Sequence, residues 1–376
     1  VSLLVVAGEA SGDRAAAAVL EQLPNVHAFG LGGPALASQG VELVEDLRSS
    51  TAMGLVEAGA RGLRIARAWH AVLRAAIRRR PTVALLVDYT EFNATLAPRL
   101  HAAGTRVVWY IAPQIWAWRP GRASALRPCI DELGVVLPFE EEAWRRVGVA
   151  ARYVGHPALE AARLGRVEAR RCMEMTPYAA AIAILPGSRP HEVRRLLVPM
   201  LDAYDRVRAE RASIDARVLV APSLDPDTRS WLTTTCADRR VGTFDVDPRH
   251  GAVHVLNAFD VSLCASGTAS LEAALARAVP VIAYRLAPVS ELAARLLLRT
   301  PHVALPNVIL GRRVFAELLQ REARAERMAD AVGEALDRRT SLVAACHEVE
   351  AAFGAERTPS ARVAEMLSPW LARAAV

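Results

Sequence analysis

The chain has 376 residues, of which 52% are hydrophobic, 23% charged and 5% aromatic, with 46 basic against 40 acidic side chains and five cysteines. That length suits two domains, each large enough to bury a core, and the composition excludes disorder, collagen and a disulfide scaffold. No lysine occurs, so every basic side chain is arginine, which excludes Schiff-base chemistry and a P-loop lysine.

Short β-branched and apolar runs at 2–7, 26–30, 83–87, 107–111 and 132–136 alternate with helical stretches, the pattern of parallel strands joined by crossovers. The opening run is too short for a signal-peptide core, and no later apolar stretch reaches the roughly 18 residues of a membrane span, so the chain is expected not to cross a membrane. Directly after the first run comes G-E-A-S-G-D at 8–13, a turn whose N–H groups can approach an anion. The plainer alternative is a tight turn with Ser11 or Asp13 as helix cap. G-L-G-G-P-A at 30–35 nominally fits a dinucleotide fingerprint, but no ribose-binding acid ends a strand about 20 residues further on.

The stretch 61–80 holds seven arginines and no acid. Ile65, Trp69, Val72, Leu73 and Ile77 fall at helical spacing on one face, with Arg64, Arg67, Arg74 and Arg78 largely off it. Such a helix either packs its apolar stripe on a core or lies on anionic lipid. No aromatic platform or recognition module accompanies the charge, so nucleic acid is not an expected partner.

Asp88 follows the run 83–87 and opens D-Y-T-E-F-N at 88–93. A carboxylate at the carboxyl end of a parallel strand, partly desolvated by a facing domain, can serve as general base on a hydroxyl; capping the next helix is the alternative. Y-I-A-P-Q-I-W-A-W-R-P-G-R at 110–122 then sets two tryptophans and two arginines beyond a strand end. That composition suits a sugar face or a phosphate, and equally suits packing.

A hinge is expected near 156–180, and a second strand series follows at 181–185, 218–221, 261–264 and 279–284. The expected fold class is α/β with two facing Rossmann-like domains, one over 1–165, the other over 166–345, and a helical tail over 346–376. Within the second series, L-P-G-S-R at 185–189 ends a strand. Arg189 is suited to forked contacts with a diphosphate, assisted by Ser188, unless Ser188 simply caps a helix. S-G-T-A-S-L-E at 266–272 opens a helix whose free amides can face a phosphate, with Glu272 placed to accept from ribose hydroxyls. The cysteines, odd in number and never in C-x-x-C spacing, read as reduced core thiols, and the histidines show no ligand spacing, so no metal is expected.

Taken in order, G-E-A-S-G-D at 8–13, M-G-L-V-E at 53–57, D-Y-T-E-F-N at 88–93, Y-I-A-P-Q-I-W-A-W-R at 110–119, L-P-F-E at 137–140, V-G-H-P at 154–157, L-P-G-S-R at 185–189, S-G-T-A-S-L-E at 266–272 and L-P-N-V-I-L-G at 305–311 resemble the lipid-A-disaccharide synthase family. The resemblance implies a metal-independent glycosyltransferase of the two-domain GT-B architecture. It would join UDP-2,3-diacylglucosamine to 2,3-diacylglucosamine 1-phosphate, inverting the anomeric carbon and releasing UDP. It further implies Asp88 as base; Glu9, Ser11 and Asp13 on the acceptor side; and Gln114, Trp118 and Arg119 at the cleft. Ser188, Arg189, Ser266, Gly267 and Thr268 would hold the diphosphate, Glu272 the ribose, and Asn307 and Gln320 would add polar contacts to UDP. Because both substrates carry acyl chains, the resemblance favours a cytoplasmic protein, peripheral on the inner face of the inner membrane, touching its anionic surface through Ile65, Trp69, Arg64, Arg67 and Arg74; a homodimer is left open. The chain departs from the family pattern at Thr90, where proline is usual, at Ala112, where serine is usual, and at Phe315-Ala316, where Val-Pro is common. Ala58, Gly59 and Gly62 also stand where a membrane patch would carry larger apolar residues. Another UDP-sugar enzyme, such as an epimerase, and a nucleotide-sugar-binding regulatory module are the rival readings.

Overall fold

A computed structural model of the chain describes residues 2–46, 58–116, 121–211, 213–285 and 300–372. These form two compact units, Val1–Glu160 with Ala355–Val376, and Ala161–Gly354. The first holds seven strands, β1 (Ser2–Ala7), β2 (His27–Gly32), β3 (Glu42–Asp46), β4 (Val83–Val87), β5 (Arg106–Tyr110), β6 (Glu132–Val135) and β7 (Ala151–Tyr153), in the order β3-β2-β1-β4-β5-β6-β7. All neighbouring pairs are parallel. Apart from Ser2, the central strands β1 and β4 are buried throughout, which is why they read as near-continuous apolar runs rather than alternating ones.

The second unit repeats the plan with β8 (Ala180–Leu185), β9 (Ile214–Val220), β10 (Gly242–Asp245), β11 (Val261–Ala265), β12 (Val279–Tyr284) and β13 (Glu317–Leu319), in the order β10-β9-β8-β11-β12-β13. It too is parallel throughout. In each sheet the chain winds outward from a central strand and then returns to its other side. Strand order therefore reverses between β1 and β4, and between β8 and β11, and open α/β sheets bind ligands beyond the carboxyl ends of such strands.

The break between units falls after Glu160, and the tail is divided: residues up to Gly354 stay with the second unit and Ala355 onward belongs to the first. Helix Pro359–Ala372 packs on helix Ala10–Glu21 and on β4 and β5, burying Val363, Met366, Leu367 and Leu371. Its start is held by Glu160, whose carboxylate accepts from the Ser360 hydroxyl at 2.8 Å and from the Ser360 amide at 3.2 Å.

The arginine-rich stretch is helix Ala58–Arg79. Ala68, Val72, Ala75 and Ala76 are buried in the first unit's core, and Ile65, Trp69 and Leu73 pack partly buried against it. Ile65 and Trp69, expected at a membrane, thus face inward, because they share the helical stripe of Val72. Ile77 behaves differently: five residues on from Val72 the helix has turned roughly 140°, and Ile77 is 57% exposed, as Leu63 is at 61%. No described helix is long and apolar enough to cross a membrane. All five cysteines are free, and Cys172 departs from the expected core position by being exposed.

Just before the break, the V-G-H-P segment buries His156, whose Nδ1 accepts from the Ala158 amide at 3.1 Å. Burial disfavours the imidazolium and lowers the pKa to about 4 from 6.5. Between those values the unfolded chain binds a proton that the folded chain does not, so stability falls as pH drops from 6.5 toward 4. About 3 kcal/mol is the expected full loss from this group, and urea unfolding of His156→Gln across that range should show a correspondingly flatter profile.

Candidate active site

In the first unit, Ala7 pairs in register with Val87, so Gly8 and Asp88 leave the two central strands side by side. A Cβ on Gly8 would lie 2.0 Å from the Tyr89 ring, so only glycine lets that ring close over the turn. Asp88 and Tyr89 both sit in the left-handed region, with φ of 50° and 45°. Conformations of this kind cost about 1–3 kcal/mol each and persist where surroundings impose them. Here the Asp88 amide donates to the Tyr110 carbonyl at 2.9 Å and the Asn93 amide to the Tyr89 carbonyl at 3.0 Å. The Asn93 side chain donates to the Asp88 carbonyl at 2.8 Å, and Tyr89 stacks on Phe92. The Asp88 carboxyl is thereby carried on a strained, clamped turn and remains partly exposed.

Asn93 has no role assigned from sequence, although it is fully buried. Its signal was a polar amide amid the apolar face Phe92, Leu96, Ala97 and Leu100 of helix Thr90–Ala102. Glu9 and Ser11 lie partly exposed at the start of helix Ala10–Glu21, which no side chain caps. Asp13 does not join them. It is 2% exposed and accepts from the amides of Gly33 at 2.6 Å, Ala35 at 2.9 Å and Leu36 at 3.3 Å. Its charge is spent ordering the G-x-G-x-x-A turn, whose strand β2 stands away from the order reversal. Gln114 is exposed on the segment after β5. Trp118 and Arg119 lie outside the described residues, as does M-G-L-V-E at 53–57.

In the second unit, Leu185 pairs with Cys264, again bringing two turns to one sheet edge. Gly187 and Gly267 adopt φ of 128° and 143°. Ser188 and Arg189 are exposed; Arg189 starts helix Pro190–Glu210, where buried Glu192 accepts from its amide at 3.3 Å and its guanidinium at 3.5 Å. Gly267 precedes helix Thr268–Leu275 with no side-chain cap, which leaves first-turn N–H groups open to an anion. Ser266 and Thr268 flank it partly exposed, while Glu272 lies buried within that helix. Gln320 follows β13 in a left-handed conformation, φ 54°.

Asn307, expected to touch UDP, is fully buried. Its oxygen accepts from the amides of Val314 and Phe315, both at 3.0 Å, and its amide donates to the Phe315 carbonyl at 2.9 Å and to Glu317 at 2.8 Å. Its hydrogen bonds are used on the chain that enters β13. Among the described residues no group of three or more His, Cys, Asp or Glu is placed to hold a metal ion.

Two Rossmann-like parallel sheets, each with glycine-bearing turns where its strand order reverses, make up the GT-B fold. MurG of Acinetobacter baumannii shares the fold with a TM-score of 0.55 at 13% identity, covering 98% of this chain and 99% of that one. A UDP-GlcNAc 2-epimerase from Neisseria meningitidis, bound to UDP-GlcNAc, gives 0.65 at 9% identity over 99% and 100%. In sequence, residues 3–366 match the family model described as lipid-A-disaccharide synthetase. The lipid-A-disaccharide synthase of Anaeromyxobacter dehalogenans (strain 2CP-C) is 43% identical over 372 residues, 96% of each chain. The chain belongs to the lipid-A-disaccharide synthase family, UDP-sugar-dependent glycosyltransferases of lipid A biosynthesis.

Proposed function

We propose that the chain transfers 2,3-diacylglucosamine from its UDP derivative to 2,3-diacylglucosamine 1-phosphate. The acceptor 6-hydroxyl attacks the donor C1, Asp88 takes the hydroxyl proton, and the bond from C1 to the diphosphate oxygen breaks to release UDP. An α-linked donor and a β-1,6-linked product mean inversion in one displacement, so no covalent glycosyl-enzyme is required. Arg189, Ser188 and the turn Ser266, Gly267 and Thr268 take up the charge of the departing diphosphate. Glu272 serves the ribose and Gln320 adds a polar contact; Glu9, Ser11, Gln114, Trp118 and Arg119 border the acceptor. Asp13 and Asn307 serve from within, by holding turns.

What carries this reading is a carboxylate on a clamped turn at the β1/β4 reversal, together with an exposed arginine and one uncapped helix start at the β8/β11 reversal, in a chain of this family. Purified protein given both acylated sugars should release UDP only when the acceptor is present. UDP release without acceptor, or epimerisation at sugar C2, would overturn it.

Membrane contact belongs to the same reading, moved to a different face of the arginine helix. Leu63 and Ile77 project beside exposed Arg67, Arg74 and Arg78, giving two apolar side chains within a cationic row. Vesicle affinity for anionic lipid, read by sedimentation, should be lost at high salt and should fall about 30-fold in Arg67→Gln/Arg74→Gln, at roughly 1 kcal/mol per arginine. Binding unmoved by either change would remove this contact.

A further inference from the structure

One buried carboxylate has no part in the chemistry above. Glu140 begins helix Glu140–Arg145 and is 1% exposed. Its Oε2 accepts from the amides of Val136 at 3.2 Å and Leu137 at 3.0 Å, just past β6. Its Oε1 accepts from the indole N–H of Trp116 at 2.8 Å, just past β5. Burial raises its carboxyl to about 7, against the three N–H groups that favour the ionised form. A buried carboxyl is costly where an apolar side chain would fill the same space, and among the described residues no arginine pairs with it to offset the cost.

We propose that Glu140 is a positioning residue for the acceptor sugar: it ties Trp116 to the end of β6 and thereby fixes segment 111–116, which carries exposed Gln114. The segment begins at Ile111, in the left-handed region with φ 63°, whose amide is held by the Gly134 carbonyl at 3.1 Å. Buried Ile115 and the Trp116 indole secure its other end, the indole meeting Phe139 edge-on at 5.1 Å between centroids. Gln114 is thus presented between two fixed points, both set by the ends of β5 and β6. No other described side chain bonds the Trp116 indole, so loss of the carboxylate leaves that end of the segment held by packing alone.

The inference rests on the proposed transfer for its kinetic readout, and a spectroscopic readout stands apart from it. Glu140→Gln keeps the volume but offers one carbonyl oxygen and one NH2 to three donors, so either Trp116 or the two backbone amides face a donor. Trp116→Phe removes the indole N–H while leaving both backbone bonds to Glu140 in place. The Trp116 indole resonance, identified by its absence in Trp116→Phe, should move in Glu140→Gln; an unmoved resonance overturns the tether. Loss of a charged hydrogen bond predicts an acceptor KM about tenfold higher in either variant, with UDP affinity unchanged. The double variant should be no worse than the poorer single. An unchanged acceptor KM, or losses that add, overturns the positioning role; a resonance that moves in Glu140→Gln while the wild-type protein transfers nothing to the acylated acceptor overturns the proposed reaction and leaves the tether standing.

Discussion

Asp88→Asn is expected to lower transfer by about 10³-fold while UDP binds as before. The substitution keeps shape and the left-handed turn, since asparagine tolerates that conformation at least as well as aspartate. The clamp on the turn is made by backbone atoms of residues 88 and 89, which the change leaves untouched. What disappears is the capacity to accept a proton from the attacking hydroxyl. UDP binding is assigned to the other unit, so calorimetry with UDP should report an intact site while acceptor-dependent UDP release collapses. Turnover within a few-fold of wild type would show that another group takes the proton.

Arg189→Ala is expected to weaken UDP on the order of 30- to 100-fold, the worth of a forked, charge-assisted contact. The helix that Arg189 precedes should survive, because Glu192 accepts from the residue 189 amide, which alanine retains. Arg189→Lys should fall between the two, keeping charge but losing the planar fork. Calorimetry with UDP separates the three proteins directly, and equal affinities would withdraw Arg189 from the diphosphate.

The central strands were legible in the sequence, and β3, β7, β10 and β13 were not. All four are sheet edges, the places where one side lacks a partner. E-L-V-E-D in β3 and G-T-F-D in β10 are short, polar and without a fully buried residue, so pairing with a neighbour decides their conformation more than their own pattern does. The site divides along a similar line. Residue types and chain order place Asp88 and Arg189 at strand ends, because parallel strands bring such turns to one edge. Sequence does not show which way a polar side chain turns. Asp13 finds its amides 20 to 23 residues away, and Glu140 meets Trp116 across 24. The arginine helix failed for a geometric reason: Ile65 and Ile77 both read as apolar, yet 12 residues of α-helical rotation set them on different sides.

The first unit is sewn together from two separated lengths of chain, with the whole of Ala161–Gly354 between them. During synthesis β1 to β7 leave the ribosome long before the helix that buries part of β4 and β5, so apolar surface stays uncovered while the intervening unit, continuous in the chain, can mature by itself. The nascent amino-terminal half therefore waits for its last helix, and translation speed through the second unit sets how long the wait lasts.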